Sequence, residues 1–90
     1  MTRYDVDSMT GETVYTLHQV CVSAGVDTTF VCELVEEGVV EPLGDRVNEW
    51  RFDGLSVMTI HKAYRMHRDL HINMPGIALV LQLLDRLQRN

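Results

Sequence analysis

The sequence is short of cysteine and of the residue groupings that catalysis and metal binding need. It has two cysteines, Cys21 and Cys32, too few for a metal framework. Both fall in segments with helical periodicity, so reduced thiols are expected rather than a disulfide. No histidine pairs recognisably with an acid and a nucleophile, which leaves catalysis without support. His67 and His71 stand at i, i+4, a spacing that can hold a metal, but no Cys, Asp or Glu sits where it would complete the set. Packed, hydrogen-bonded histidines are the expectation, and no cofactor is called for. Long apolar runs are lacking too. The longest, Ile77 to Leu81, falls far below the roughly 18 residues of a membrane span. The opening stretch MTRYDVDSMTGET has no apolar core of the kind a signal peptide carries. Internal repeats, low-complexity tracts and linkers are absent.

The middle of the chain is short of positive charge. Residues 27–50 hold Arg46 against Asp27, Glu33, Glu36, Glu37, Glu41, Asp45 and Glu49, a net −6, whereas the whole chain carries −5. Residues 1–26 carry −2 and residues 51–90 carry +3. A middle this acidic repels phosphates and attracts a basic protein surface. Otherwise the composition, 46% hydrophobic and 23% charged, is that of a soluble globular chain. Ninety residues suit a single domain, 1–90. That leaves no room for a large substrate pocket beside the core.

Residues 1–14 are polar and aperiodic and read as a loose arm, with a short strand at Thr13–Tyr15. Thr16, with Gln19 three residues on, forms a capping box. Leu17, Val20, Cys21 and Ala24 follow on one helical face, and Gly25 ends that helix. Asp27 caps a second helix, with Phe30, Val31, Leu34 and Val35 on one side and Glu33, Glu36 and Glu37 on the other. Gly38 stops it. Two short helices joined by a tight glycine-containing turn make a helix-turn-helix. Val39-Val40, ended by Pro42, reads as a strand that pairs with Trp50-Arg51-Phe52 across a Gly44-Asp45 turn, giving a small hairpin wing. Asp53 caps a third helix from Gly54 to His71, with Ile60, Ala63, Met66 and Leu70 inward and Lys62, Arg65 and Arg68 on the opposite side. A break at Ile72–Met74 precedes a fourth helix, Pro75–Arg89, whose apolar residues cover well over half its circumference. Such a helix must be buried on more than one side. It either covers the helix-turn-helix or dimerises, or does each with a different face.

These residues carry a family resemblance. The path from Thr16 to Asp53 resembles the winged helix-turn-helix of the MerR superfamily, through Gly25-Val26, Gly38-Val39-Val40-Glu41-Pro42 and Trp50-Arg51-Phe52. More specifically, W-R-F-D at 50–53, A-Y-R-M-H-R-D-L at 63–70 and P-G-I-A-L-V-L-Q-L-L-D at 75–85 resemble the chaperone-modulator family, CbpM. The likeness covers about four fifths of the chain. Some members continue into a longer charged C-terminal helix, whereas this sequence stops at Asn90. The resemblance implies a mainly α fold: a MerR-like winged helix-turn-helix over residues 16–53 and a helical extension over 54–90. It also implies a cytoplasmic, non-enzymatic protein that binds the J-domain of a CbpA-type, DnaJ-like co-chaperone. Such binding restrains both the co-chaperone's stimulation of a DnaK-type chaperone and its attachment to DNA. Any nucleoid association would run through that partner.

The partner-binding residues expected on this reading are Glu33, Glu36, Glu37, Glu41, Glu49 and Trp50. Leu79, Val80, Leu83 and Leu87 are the expected oligomerisation residues, forming a homodimer through the C-terminal helix. Two other classes compete. A MerR-like transcriptional regulator needs arginine and aromatic residues on its reading helix, but Cys32, Glu33 and Leu34 occupy those positions, and direct nucleic-acid binding is not expected. A structural oligomerisation module would rest on the fourth helix alone. The carboxylates also have a plainer reading as a solvated helix face, as do Lys62, Arg65 and Arg68.

Overall fold

The computed structural model describes residues 13–89. The proposed arm therefore lies outside the described residues up to position 12. The chain runs β1 (Val14–Thr16), α1 (Leu17–Ala24), α2 (Thr28–Glu36), a 3-10 turn (Val47–Glu49), β2 (Arg51–Asp53), α3 (Gly54–Leu70) and α4 (Met74–Arg89). The expected class stands: mainly helical, a helix-turn-helix with a small wing, then two helices.

Local chemistry sets each helix start. Thr16 Oγ1 accepts the Gln19 N–H at 3.1 Å while the Thr16 N–H donates to Gln19 Oε1 at 2.9 Å, a reciprocal capping box. Asp27 accepts the Phe30 N–H at 3.0 Å and Asp53 the Ser56 N–H at 2.8 Å. Asn73 accepts the Gly76 N–H at 2.9 Å, so α4 begins at Met74, with Pro75 in its first turn. The turn between α1 and α2 closes at Gly25, in the left-handed region at φ 71, where the Gly25 and Val26 N–H groups both donate to Cys21 O.

The helices enclose one apolar cluster. Val20 of α1, Val31 and Leu34 of α2, Phe52 of β2, Ile60 and Ala63 of α3, and Ile77 of α4 are all buried, with Val40 below α2. Phe30 sits edge-on to Tyr64 with centroids 5.6 Å apart, locking the start of α2 to α3. Ser23 Oγ lies 3.0 Å from His61 Nε2, a second tie between α1 and α3. Both cysteines are free thiols, as expected. His67 Nδ1 lies 3.2 Å from Ile72 O, and its ring lies against Phe30. Among the described residues no group of three or more His, Cys, Asp or Glu is placed to hold a metal. Among the described residues no helix is long and apolar enough to cross a membrane.

Three local expectations change. Val39-Val40 is not a strand. At the end of α2 the Gly38 N–H donates to Val35 O at 3.0 Å and the Val39 N–H to Leu34 O at 2.9 Å, so the Val39 donor is spent closing the helix. Pro42 has no N–H, which makes Leu43 the first residue past it that can both donate and accept in a ladder. Leu43 bridges Arg51 and closes the wing there. The regular partner of β2 is β1, antiparallel, with Tyr15 opposite Phe52. Trp50 precedes β2 rather than beginning it. In α3, Leu70 is exposed, not inward. His71 adopts φ 56 and reverses the chain, and Ile72 folds back against the cluster instead.

Candidate functional site

The exposed end of α2 is a concentration of like charge. Glu33, Glu36 and Glu37 all face solvent. Glu33 is three residues from Glu36 and four from Glu37, spacings at which like charges on a helix repel. They also occupy the C-terminal turn and cap, where the partial charge of the helix is already negative, and no basic residue lies in that last turn. No ion pair among the described residues relieves them. The three carboxylates therefore repel one another in the free chain. Glu41, Asp45 and Glu49 continue the exposed acidic surface along the wing.

Two clefts flank α2 at opposite ends. At its C-terminal end, Glu37, Val39, Lys62, Leu81 and Asp85 line a depression of about 330 Å³ between α2, α3 and α4. At its N-terminal end lies a larger and more apolar cleft of about 650 Å³. Its walls come from Leu17 and Cys21 on α1, Thr28 on α2, and Val47, Trp50 and Arg51 on the wing. Trp50 is half-buried there. Its ring packs edge-on to the buried Phe52 at 6.0 Å, and its carbonyl accepts from the Arg51 guanidinium at 2.8 Å.

The third feature is on α4. Ile77 and Ala78 are buried and Leu81 packs against the cluster. Leu79, Leu83 and Leu87 recur every four residues and remain exposed, with Leu84 beside them. Val80 is half-buried at the edge of this strip.

A family model for MerR HTH family regulatory proteins matches residues 15–89. A chaperone modulatory protein CbpM from Pseudomonas entomophila is 37% identical over 73 residues, covering 81% of this chain and 72% of the relative. The CbpM of Pseudomonas putida strain W619 is 34% identical over the same length and coverage. That of Coxiella burnetii strain Dugway is 41% identical over 58 residues, 64% of this chain and 55% of the relative. The chain belongs to the CbpM family. It is a CbpM-type member of the MerR-like helix-turn-helix proteins, and it presents carboxylates on the second helix of that motif.

Within this CbpM fold the six expected partner-binding residues are all solvent-accessible, but they do not converge on one cavity. Glu37 lines the cleft beside α4, whereas Trp50 lines the cleft beside α1. The basic side of α3 is also divided. Lys62 is half-buried in the α4 cleft. Arg68 is held by Asp69 at 2.7 Å and lies 5.8 Å from the Tyr64 ring centroid. That contact raises the Arg68 pKa and lowers that of Asp69. Both side chains are more than half exposed, so the pair adds little stability. Sequence reasoning missed the apolar cleft, because Leu17, Cys21 and Val47 come from segments whose proximity depends on the wing. Its one legible signal was Trp50 beside an acidic residue.

Proposed function

We propose that this chain is a non-enzymatic chaperone modulator. In this reading it binds the J-domain of a CbpA-type, DnaJ-like co-chaperone and inhibits both its co-chaperone activity and its DNA binding. The observation that carries the reading is the charge on the exposed end of α2, set against a family whose curated members bear the name chaperone modulatory protein. Three mutually repelling carboxylates at a helix C-terminus cost the free chain stability. A basic helix docked on that face returns the lost energy as affinity and selects its partner through charge. The mechanism is occlusion: the J-domain helix engaged here is withheld from the DnaK-type chaperone. The same face repels the phosphates of DNA, which argues against a transcriptional regulator. The protein acts in the cytoplasm, and reaches the nucleoid only through its partner.

The test is a pair of measurements of opposite sign on Glu33→Lys with Glu36→Lys. Relief of repulsion raises the stability of the free chain by a few tenths to about 1 kcal/mol. Affinity for the co-chaperone falls by about tenfold or more, and its salt dependence flattens. Unchanged affinity at low salt would place the interface elsewhere.

A second reading concerns assembly. Leu79, Leu83 and Leu87 form an exposed apolar strip on a helix whose opposite side is already in the core, and a strip of this kind pairs two copies through α4.

A further inference from the structure

We infer that the depression between the end of α2, α3 and α4 receives one arginine side chain from the partner's basic helix. This inference rests on the proposed J-domain reading and extends the contact surface from the end of α2 into a cleft, with the residue type that the cleft takes.

Charge sets the sign of the occupant. Glu37 on α2 and Asp85 on α4 line the cleft, and Lys62 on α3 is the one cation among its described lining residues. Among the described residues Lys62 forms no ion pair, so it does not cancel either carboxylate at contact. Glu33 and Glu36 carry the negative charge on from Glu37 around the exposed end of α2, and the helix terminus adds its own negative partial charge. A cation entering here is attracted from α2 and α4 and opposed only by Lys62. The phosphates of nucleic acid meet the reverse balance.

Shape and hydrogen bonding select arginine. Val39, Ala78 and Leu81 give the cleft an apolar lining, along which a long aliphatic stem can lie with its charged head at the rim. The volume, about 330 Å³, is at the small end of clefts that hold organic groups and suits one side chain. The rim is rich in acceptors. Besides the two carboxylates, Thr59 Oγ1 donates to Leu55 O at 3.0 Å, so the hydroxyl has only lone pairs left to offer. A planar guanidinium with five N–H donors can grip a carboxylate with two bonds and still reach a neighbouring acceptor, which a compact ammonium does less well. The backbone under Glu37 is already fixed. Its N–H donates to Glu33 O at 2.9 Å, followed by Gly38 N–H to Val35 O at 3.0 Å and Val39 N–H to Leu34 O at 2.9 Å. Docking therefore orders side chains rather than main chain. Because Glu37 belongs both to the acidic end of α2 and to the cleft, a helix laid across that end passes the cleft mouth.

The deciding experiment uses the whole chain and the full-length CbpA-type co-chaperone, with affinities read by calorimetry. Lys62→Met keeps the stem and removes the opposing charge, and it is expected to tighten binding about threefold. Glu37→Gln is expected to weaken it about tenfold, several times more than Glu33→Gln, which removes the same charge outside the cleft. In turn, one arginine-to-lysine change in the partner's basic helix is expected to weaken binding to the parent and to have no further effect on Glu37→Gln. Circular dichroism checks that each variant keeps its helices. An acidic occupant would make Lys62→Met bind more weakly, and that result overturns the inference. So does a Glu37→Gln loss no greater than that of Glu33→Gln, or a partner helix in which no arginine is coupled to Glu37. Each of these leaves the J-domain reading intact. Failure of the parent chain to bind the co-chaperone overturns both.

Discussion

Leu43 and Arg51 face each other at the base of the wing and exchange two backbone hydrogen bonds, Leu43 N–H to Arg51 O at 2.9 Å and Arg51 N–H to Leu43 O at 3.0 Å. Arg51 also stands opposite Thr16 on β1. The wing is thus fastened to the strand from which α1 begins, and this fixes Val47 and Trp50 relative to the helix-turn-helix. An acidic loop closed by a single bridge depends heavily on its turn.

That turn rests on Gly44. Its φ is +100, and a Cβ built there would lie 2.7 Å from Glu49 O. Gly44→Ala meets both backbone strain and a clash with main chain, and should cost about 1–3 kcal/mol. Urea denaturation measures the loss, and amide exchange at Leu43 and Arg51 should quicken more than at Leu34. Gly54, in the first turn of α3, has open space around it. Gly54→Ala should change stability by less than about 1 kcal/mol, towards greater stability. Equal effects at the two sites would mean that the turn is not what holds the wing.

The core offers a calibration. Leu34 of α2 is fully buried in the core cluster, whereas Leu55 is 74% exposed. Leu34→Ala should cost about 2–5 kcal/mol through lost burial and the cavity left behind. In a domain worth about 5–15 kcal/mol this is a large share. Leu55→Ala should stay within about 0.5 kcal/mol. Both are read from denaturant midpoints at constant slope.

The sequence was most informative where a single residue type decides the outcome. Thr16, Asp27 and Asp53 mark helix starts because a side-chain oxygen must satisfy backbone donors there, and each does so. The apolar faces of α1 and α2 follow from spacing alone. The wing was harder to read. Val39-Val40 has strand composition, yet its backbone is consumed by the end of α2, and no local pattern reveals that competition. Leu70 fits the α3 stripe by periodicity, and only the reversal at His71 leaves it outside. The acidic half of the candidate site was legible because charge is local. The apolar cleft was not, since three separated segments build it.

The two thiols should differ sharply in reactivity. Cys21 is buried and Cys32 only half so. Burial, then the charge of Asp27, then Cys32 itself, push the Cys21 thiol above its ordinary value of 9.0. Near neutral pH, iodoacetamide should modify Cys32 in the native chain and reach Cys21 only through opening of the fold. The sign of the linkage follows. A pKa raised in the folded state contributes stability that is whole below about pH 9 and lost as pH rises through the folded value. The urea midpoint should therefore fall above pH 9, and Cys21→Ala should lower the starting midpoint while removing part of that fall. A native chain that alkylates at both sites at one rate would contradict the burial of α1 against α2.

The α4 strip allows folding and assembly to be separated. Leu81 is packed against the core, while Leu83 and Leu87 are 47% and 70% exposed. Leu81 is half-buried, so a charge there is partly desolvated and its apolar contacts are lost; Leu81→Asp should cost about 1–3 kcal/mol and weaken the helical signal. Charges at Leu83 and Leu87 reach water directly, so the double variant to Asp should keep its circular dichroism and its monomer fold. If the strip joins two copies, the same double variant should convert a dimer to a monomer in sedimentation velocity, and the parent should show concentration-dependent thermal stability that the variant lacks. A parent chain that sediments as a monomer at every concentration, or a double variant whose sedimentation is unchanged, removes the case for pairing through α4. In either event the contrast with Leu81→Asp still measures how much of this helix belongs to the core.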